Sequence, residues 1–285
     1  MTTPIQGGPM PVRRYVGALV AVSLTALTTA CAGGRAPIYT LEPTAAPLRY
    51  AEESEGSQSV QTPAGPQGGE SSTEAEILLD VGAASGVGRR FTAAFASFSA
   101  TLTSAMGSMP VDGSALVGSE FTGVLAPDGA IVLGDLPKGA AGAFDAGSLA
   151  GVLPDILAPL PPDGSDEAAP WPHRYTLPAG GGLAGEVSYE GEARFAGDTT
   201  FEGVPVRRIV SEGRVSVSGS GTPPGAPGEI ALSTSGDAVT VYLWDDARGV
   251  LVASDAESDT EGTVSAMGFD LPMTVTWERR IRLLP

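Results

Sequence analysis

The second half of the chain, most clearly at 186–195 and 273–283, alternates apolar and polar residues. Because successive side chains of a strand point to opposite faces, this period predicts strands with one buried and one solvated face. Inward positions include Val187, Tyr189, Phe195, Val275 and Trp277. Further strands of an antiparallel meander are predicted at 204–211, 213–219, 230–235, 238–244, 250–256 and 262–266, with polar, glycine-containing turns at 235–237 and 245–249.

The first half contains weaker strand signals. A Pro-Asp-Gly turn at 127–129 lies between apolar runs, which predicts a hairpin over 123–137. In residues 91–106 the large apolar residues fall at helical spacing, whereas the Ser and Thr content and the flanking segments favour a strand with a bulge near Ala96. We interpret this segment as a bulged strand, with a helix as the alternative.

One helix is predicted, over residues 144–158. Its apolar residues recur at the spacing of a helix face, and Asp145 can cap its N-terminus. Pro154 is expected to bend or shorten it, because proline lacks an amide hydrogen and crowds the preceding turn. The patterns together predict a mainly β fold: an antiparallel curved sheet, half-barrel or sandwich-like, with one short helix.

Residues 31–75 are rich in Pro, Gly, Ser, Gln and Glu. Such a composition buries too little apolar area to offset the entropy of ordering, so a disordered tether is predicted. The β-rich domain is then expected to span 76–285. The similar order of elements in 76–165 and 166–285 suggests two loosely similar halves.

The first 30 residues have the layout of an export signal. Arg13 and Arg14 precede an uncharged apolar segment that ends in small residues next to Cys31. The apolar core is shorter than the about 20 residues of a bilayer span, while the wider uncharged window leaves an uncleaved membrane anchor as the alternative. Both interpretations place the rest of the chain outside the cytoplasm.

Cys31 is the single cysteine of the chain and follows Thr29 and Ala30 at the end of this segment. A lone cysteine is often a buried, inert residue, but this arrangement resembles the lipobox of bacterial lipoproteins. The resemblance implies cleavage between Ala30 and Cys31, acylation of Cys31 and a membrane partner held through that lipid anchor. Ala32, in place of an aspartate, implies the outer membrane in a cell that has one.

The charge of the chain bears on its partners. Removing residues 1–30 removes Arg13 and Arg14 and no acid, which takes the net charge from −17 to −19. Such an acidic protein repels the phosphates of nucleic acids and anionic lipid headgroups. We therefore predict no nucleic-acid partner, and a covalent rather than electrostatic link to the membrane.

Little in the composition points to chemistry. His173, the one histidine, has no nucleophile motif near it and is interpreted as a surface or rim residue. The alternating acids of 255–261 are interpreted as solvated charges, since ligands spread along a strand cannot converge on one ion. No catalytic, cofactor-binding or metal-binding residue is predicted, and no enzyme activity.

Four segments carry a second resemblance. They are APDGAIVLG at 126–134, LPDILAPLPPDG at 153–164, Trp171, and WDDARGVLVAS at 244–254. Their order is similar to that of an uncharacterised domain found in bacterial envelope lipoproteins. The resemblance implies a strand-rich first half, a short helix and a final meander, and it implies no activity.

Two hypotheses for the function follow. In the first, the curved sheet leaves a cleft for an acyl chain or another apolar molecule, and Val187, Tyr189, Phe195, Val275 and Trp277 line it. In the second, these residues form a filled core, and the protein is a structural or partner-binding scaffold of the cell envelope. A cavity of several hundred Å³ favours the first, and the sequence leaves the oligomeric state open.

Overall fold

The computed structural model describes residues 41–285 except 106, 128, 135–149, 163–167, 181, 223–227 and 267. These residues belong to one compact unit. The predicted signal, its cleavage point between Ala30 and Cys31, and the predicted helical segment from 144 to 149 lie outside them. Among the described residues no helix has the length and hydropathy needed to cross a membrane.

The described residues form twelve strands and one short helix, which confirms the mainly β prediction. The helix is α1 (Leu153–Ile156). In chain order the strands are β1 (Leu48–Thr62), β2 (Gly65–Ser85), β3 (Gly88–Ser104), β4 (Gly107–Val111), β5 (Glu120–Leu125), β6 (Ile131–Leu133), β7 (Trp171–Gly180), β8 (Leu183–Phe201), β9 (Val204–Gly221), β10 (Ile230–Asp245), β11 (Val250–Ala266) and β12 (Phe269–Leu283).

All strands belong to one antiparallel sheet. Its order is β6-β5-β3-β2-β1-β12-β11-β10-β9-β8-β7, and β4 pairs with the end of β3 that β5 leaves uncovered. The two ends of this order approach each other, with Cα atoms of β6 and β7 within 8 Å. The predicted curved sheet is confirmed in its half-barrel form. Because β1 joins β2 to β12, the two predicted halves share one sheet, and their internal repeat stays a prediction.

Residues 91–104 of the segment 91–106 belong to β3 and contain the expected bulge. Glu76 pairs with Ser97 and Ile77 pairs with Phe95, so Ala96 has no partner on β2. Such an extra residue bends the strand locally and increases its twist. The bulge turns Phe95 and Phe98 to the same inner face, where their rings meet edge to face with centroids 5.9 Å apart.

Two predicted turns are confirmed by their hydrogen bonds. In the β5–β6 hairpin Gly129 has a φ of +83°, and its amide donates to the carbonyl of Ala126 at 2.9 Å. In the β10–β11 hairpin the carboxylate of Asp245 accepts the amide hydrogens of Ala247 and Arg248 at 2.9 and 3.0 Å. Glycine supplies the positive φ in the first turn, and an aspartate side chain replaces a backbone acceptor in the second.

The tether prediction is wrong over residues 48–75, which form β1 and the first part of β2. The composition of a segment counts the residues of both faces of a strand together. A strand that lies between two others needs apolar residues on its inward face only. On β1 the inward Tyr50 is buried, and Glu52 is buried against Arg279. Beyond them most inward positions are small or polar, and they border a cleft instead of a core.

The predicted breaks at 212, 236–237 and 257–261 are also wrong, because each lies inside one long strand. The glycine-containing turn predicted at 235–237 is the middle of β10. A side chain at Gly236 would collide with the carbonyl oxygen of Asp259 on β11. Glycine is therefore required there by the close approach of two backbones, and it marks no turn.

Within the described part of the predicted helix, residues 150–158, the helix α1 is four residues long. Pro154 lies in its first turn, where a missing amide hydrogen costs nothing, so it starts the helix and does not bend it. Two hydroxyl groups of the sheet donate to the backbone of this segment: the Tyr242 hydroxyl to the Pro154 carbonyl at 3.1 Å, and the Ser254 hydroxyl to the Asp155 carbonyl at 2.7 Å.

The hydrophobic core lies between α1 and the end of the sheet that carries the largest apolar side chains. Leu153, Ile156 and Leu157 enter the curve from the helix segment and are fully buried. The sheet residues buried around them include Tyr50, Ile77, Leu79, Tyr242, Trp244, Leu251 and Ile281. The core thus fills one end of the curve.

Candidate functional site

A cavity of about 400 Å³ occupies the inner face of the sheet beside the core. Strands β7 to β12 form its walls, and Gly151 and Asp155 of the helix segment border it. Its apolar and aromatic lining includes Tyr175, Leu177, Val187, Tyr189, Val275 and Trp277. Apolar walls with a few polar groups at one end are typical of pockets for small ligands.

Four of the five residues assigned to a cleft from the sequence border this cavity. Val187 and Tyr189 contribute from β8, and Val275 and Trp277 from β12. Phe195 lies elsewhere: its ring packs against Trp171 in the core, with centroids 5.0 Å apart. The β8 strand therefore runs from the cavity into the core, and its alternation alone does not distinguish the two environments.

A buried ionic cluster lies at the polar end of the cavity. The Arg279 guanidinium donates to the Glu52 carboxylate at 3.2 Å, to the Asp155 carboxylate at 2.8 Å and to the Gly151 carbonyl at 2.7 Å. It also lies 3.8 Å from the centroid of the Trp277 ring. One cation thus joins β1, β12 and the helix segment.

The electrostatics of this cluster are unbalanced, since two carboxylates share one guanidinium. Burial raises the pKa of Glu52 above its ordinary value, and the charge of Arg279 offsets only part of that effect. Burial likewise raises the pKa of Asp155, again against the opposing effect of Arg279. Desolvation therefore outweighs the ion pairs, and the site carries more acid than base.

His173 is buried at 5% exposure, so its interpretation as a surface or rim residue is wrong. It lies two residues after Trp171 on β7, so its side chain points to the same inner face of the sheet. Its Nδ1 lies 2.8 Å from the Ser211 hydroxyl, which lies 2.8 Å from the Tyr189 hydroxyl. Burial lowers the pKa of His173 to about 4, so the imidazole is neutral at pH 7.

Two tyrosines form an aromatic wall next to His173. The rings of Tyr175 and Tyr189 are stacked, with centroids 5.2 Å apart and planes at 12°. The His173 ring lies 5.6 Å from Tyr175 and 5.0 Å from Tyr189. Burial raises the pKa of the Tyr175 hydroxyl far above its ordinary value, so it remains protonated.

A wider cleft of about 730 Å³ lies next to the cavity. Gln58, Val275 and Trp277 border both spaces. Small residues of β1 and β2, among them Gly56 and Gly69, form part of the cleft wall. This is the segment for which a tether was predicted, and its low apolar content suits a passage to solvent.

The acidic groups of β11 face away from this site, and the Ser211 hydroxyl is hydrogen-bonded within the protein. The four alternating acids of β11, at 255–261, are exposed on the outer face, as the interpretation as solvated charges requires. Ser211 is fully buried between His173 and Tyr189, so it bonds them and faces no substrate. Within the described part of the chain, no group of three or more potential ligands could hold a metal ion.

No family model and no curated protein matches this chain. Three solved structures align over most of it: an outer membrane channel from Pseudomonas putida F1 (11% identity, 86% of this chain and 98% of that chain, TM-score 0.27), a DUF1329 family protein from Desulfovibrio piger (8%, 84% and 86%, 0.19) and a protein domain described as outer membrane lipoprotein-sorting from Vibrio parahaemolyticus (9%, 82% and 83%, 0.16). At these TM-scores the likenesses do not bear on function.

Proposed function

We propose that this chain is a lipid-anchored protein of the cell envelope that binds an apolar or amphipathic small molecule inside its curved sheet. The observation that carries the proposal is the cavity of about 400 Å³, whose walls are apolar and whose polar groups gather at one end. The export signal and lipobox pattern that end at Cys31 support the location.

The shape of the molecule favours binding over a purely structural role. A scaffold needs a filled core, and here α1 fills only one end of the curve. Beside it, Val187, Val217 and Leu232 are only half-buried at the cavity wall. Apolar area left in contact with water costs about 25 cal/mol per Å², which a bound apolar ligand recovers.

Blocking the cavity tests this function. Ala238 lies on the inner face of β10, opposite Ser258, and both border the cavity. We expect Ala238→Trp in the full chain to weaken binding of dodecanol about tenfold or more, because the indole occupies the ligand's space. The measurement is displacement of the fluorescent probe phenylnaphthylamine by dodecanol.

The matched control is Val239→Trp. Val239 is the next residue, points to the outer face and is 40% exposed. The variant Val239→Trp introduces the same side chain one position away, on the outer face, so it should leave the affinity for dodecanol unchanged. Equal affinities of the wild type and both variants, or no binding of dodecanol to the wild type, would contradict the proposed function.

The anchor is tested separately. We expect Cys31→Ser to move the protein from the membrane fraction to the soluble fraction of the cell, because a serine cannot form the thioether. Mass spectrometry of the wild-type N-terminus should show a chain that begins at Cys31 and carries the lipid. An unmodified thiol at Cys31 in protein isolated from membranes would rule the anchor out.

A further inference from the structure

The polar end of the cavity has a specific charge balance. The charged side chains directed at its border are those of Asp155 and Arg279, since Glu257, which also lies along the wall, is exposed on the outer face of β11. Glu52, immediately behind, shares Arg279 with Asp155 at ion-pair distance. His173 adds no positive charge, because its imidazole is neutral at pH 7. Two buried acids thus share one guanidinium.

The Nε and Nη1 donors of Arg279 are directed at the protein itself. Its Nε faces Glu52, and its Nη1 serves both Asp155 and the Gly151 carbonyl. An anionic head group at this end would add a further negative charge to a site that already carries excess acid. Burial already works against the charged forms of Asp155 and Glu52, so such an addition is unfavourable.

The aromatic lining provides a second, independent argument. Tyr175, Tyr189 and Trp277 all border the cavity. The faces of such rings carry partial negative charge and attract cations, and the attraction grows when water is excluded. Trp277 already holds the guanidinium of Arg279 on one face at 3.8 Å. Aromatic rings combined with a carboxylate are the arrangement that recognises organic ammonium groups.

We infer that the cavity selects amphipathic molecules with a cationic amine head group, which lies beside Asp155 and the stacked tyrosines while the apolar tail runs along Val187 and Val275. This inference rests on the proposed function and names its ligand class. The ammonium balances the surplus acid, and the apolar tail fills the rest of the wall. The wide cleft shared at Gln58 gives the tail access from solvent.

The experiment compares three probes of equal chain length on the full chain at pH 7: dodecylamine, dodecanol and dodecanoate. We expect dodecylamine to displace phenylnaphthylamine at about a tenfold lower concentration than dodecanol, and dodecanoate to be the weakest. Binding of dodecanoate as tight as that of dodecylamine overturns the inference and leaves the proposed function intact. Binding of none of the three overturns both.

Two variants locate the preference within the cavity. Asp155→Asn keeps an acceptor for Arg279 and removes one negative charge, and Tyr175→Leu removes an aromatic face. Each should reduce the ratio of dodecylamine to dodecanol affinity several-fold. The control Asp255→Asn removes a charge from the outer face of β11, where Asp255 pairs with Arg282, and should not alter the ratio. An unchanged ratio in Tyr175→Leu, or an equal drop in Asp255→Asn, overturns the inference.

Discussion

Replacing Arg279 with methionine is expected to lower the free energy of unfolding by about 3–5 kcal/mol at neutral pH. The guanidinium is the cation that contacts both Glu52 and Asp155, each less than 10% exposed. Without it two acids remain buried without a positive partner, and the Gly151 carbonyl loses its donor. Removal of one partner from a buried ionic cluster is among the few single changes with so large an effect.

The loss of unfolding free energy in Arg279→Met should become smaller as the pH falls. Burial holds the pKa of both carboxyl groups above their ordinary values even with Arg279 present, and without the guanidinium the pKa values rise further. Acids of this kind bind protons more tightly in the folded chain than in the unfolded chain. These two acids therefore contribute their full stabilisation at pH values below the ordinary carboxyl pKa. That stabilisation is lost as the pH rises through their raised pKa values. Urea unfolding curves of Arg279→Met and the wild type should lie closest near about pH 4 and separate towards pH 7.

The matched control is Arg280→Met. Arg280 is the next residue on β12, and it is exposed on the outer face. Its replacement should change the free energy of unfolding by less than about 0.5 kcal/mol. Combining Arg279→Met with Glu52→Gln and Asp155→Asn should restore part of the lost stability, because neutral amides carry a smaller desolvation cost. An equal loss in the two arginine variants, or a loss independent of pH, would show that charge is not the cause.

The sequence predicted the local features that depend on neighbouring residues. The strands of the second half, the bulge at Ala96 and the turn capped by Asp245 follow from alternation, spacing and turn chemistry. Alternation also assigned Val187, Tyr189, Val275 and Trp277 to an inner face. It could not separate these cavity residues from Phe195 in the core, because a half-buried strand shows the same period in both places.

The ionic cluster was missed because its members are far apart in the chain. Glu52 and Arg279 are separated by 227 positions and meet only through the pairing of β1 with β12. One signal was present: Arg279 falls in phase with Val275, Trp277 and Ile281, which are inward positions. A charge in the apolar phase of a strand indicates a buried partner or a site. His173, in phase with Trp171, carried the same signal on β7.

Glycines were misread for a related reason. Gly-containing polar segments are usual turn signals, and this led to the predicted turn at 235–237. The length of β10 instead depends on Gly236 being inside the strand, opposite Val215 on β9 and Thr260 on β11. A strongly curved sheet brings neighbouring backbones close together on its concave side, and only a residue without a side chain fits there. That requirement is tertiary, so no local pattern reveals it.

Gly236→Val is therefore expected to destabilise the protein by about 3 kcal/mol, although valine is among the residues that strands prefer. The preference for valine over glycine in a strand is worth about 1 kcal/mol. Against it, the new side chain meets the backbone carbonyl of Asp259, which cannot move without breaking the pairing of β10 with β11. The cost of packing a side chain against the backbone outweighs the strand propensity of valine. Thermal or urea unfolding of the variant and the wild type measures the difference in the free energy of unfolding.

Gly86→Val is the matched control for that comparison. Gly86 lies in the turn between β2 and β3, and a side chain there would have nothing within 4 Å. Its replacement should change the free energy of unfolding by less than about 0.5 kcal/mol. A similar loss at both positions would mean that glycine is needed for backbone freedom in general. A loss of stability confined to Gly236 would show that the curvature of the sheet requires this glycine. The cavity depends on the same curvature, because Val215 and Thr260, the two strand partners of Gly236, both border the cavity.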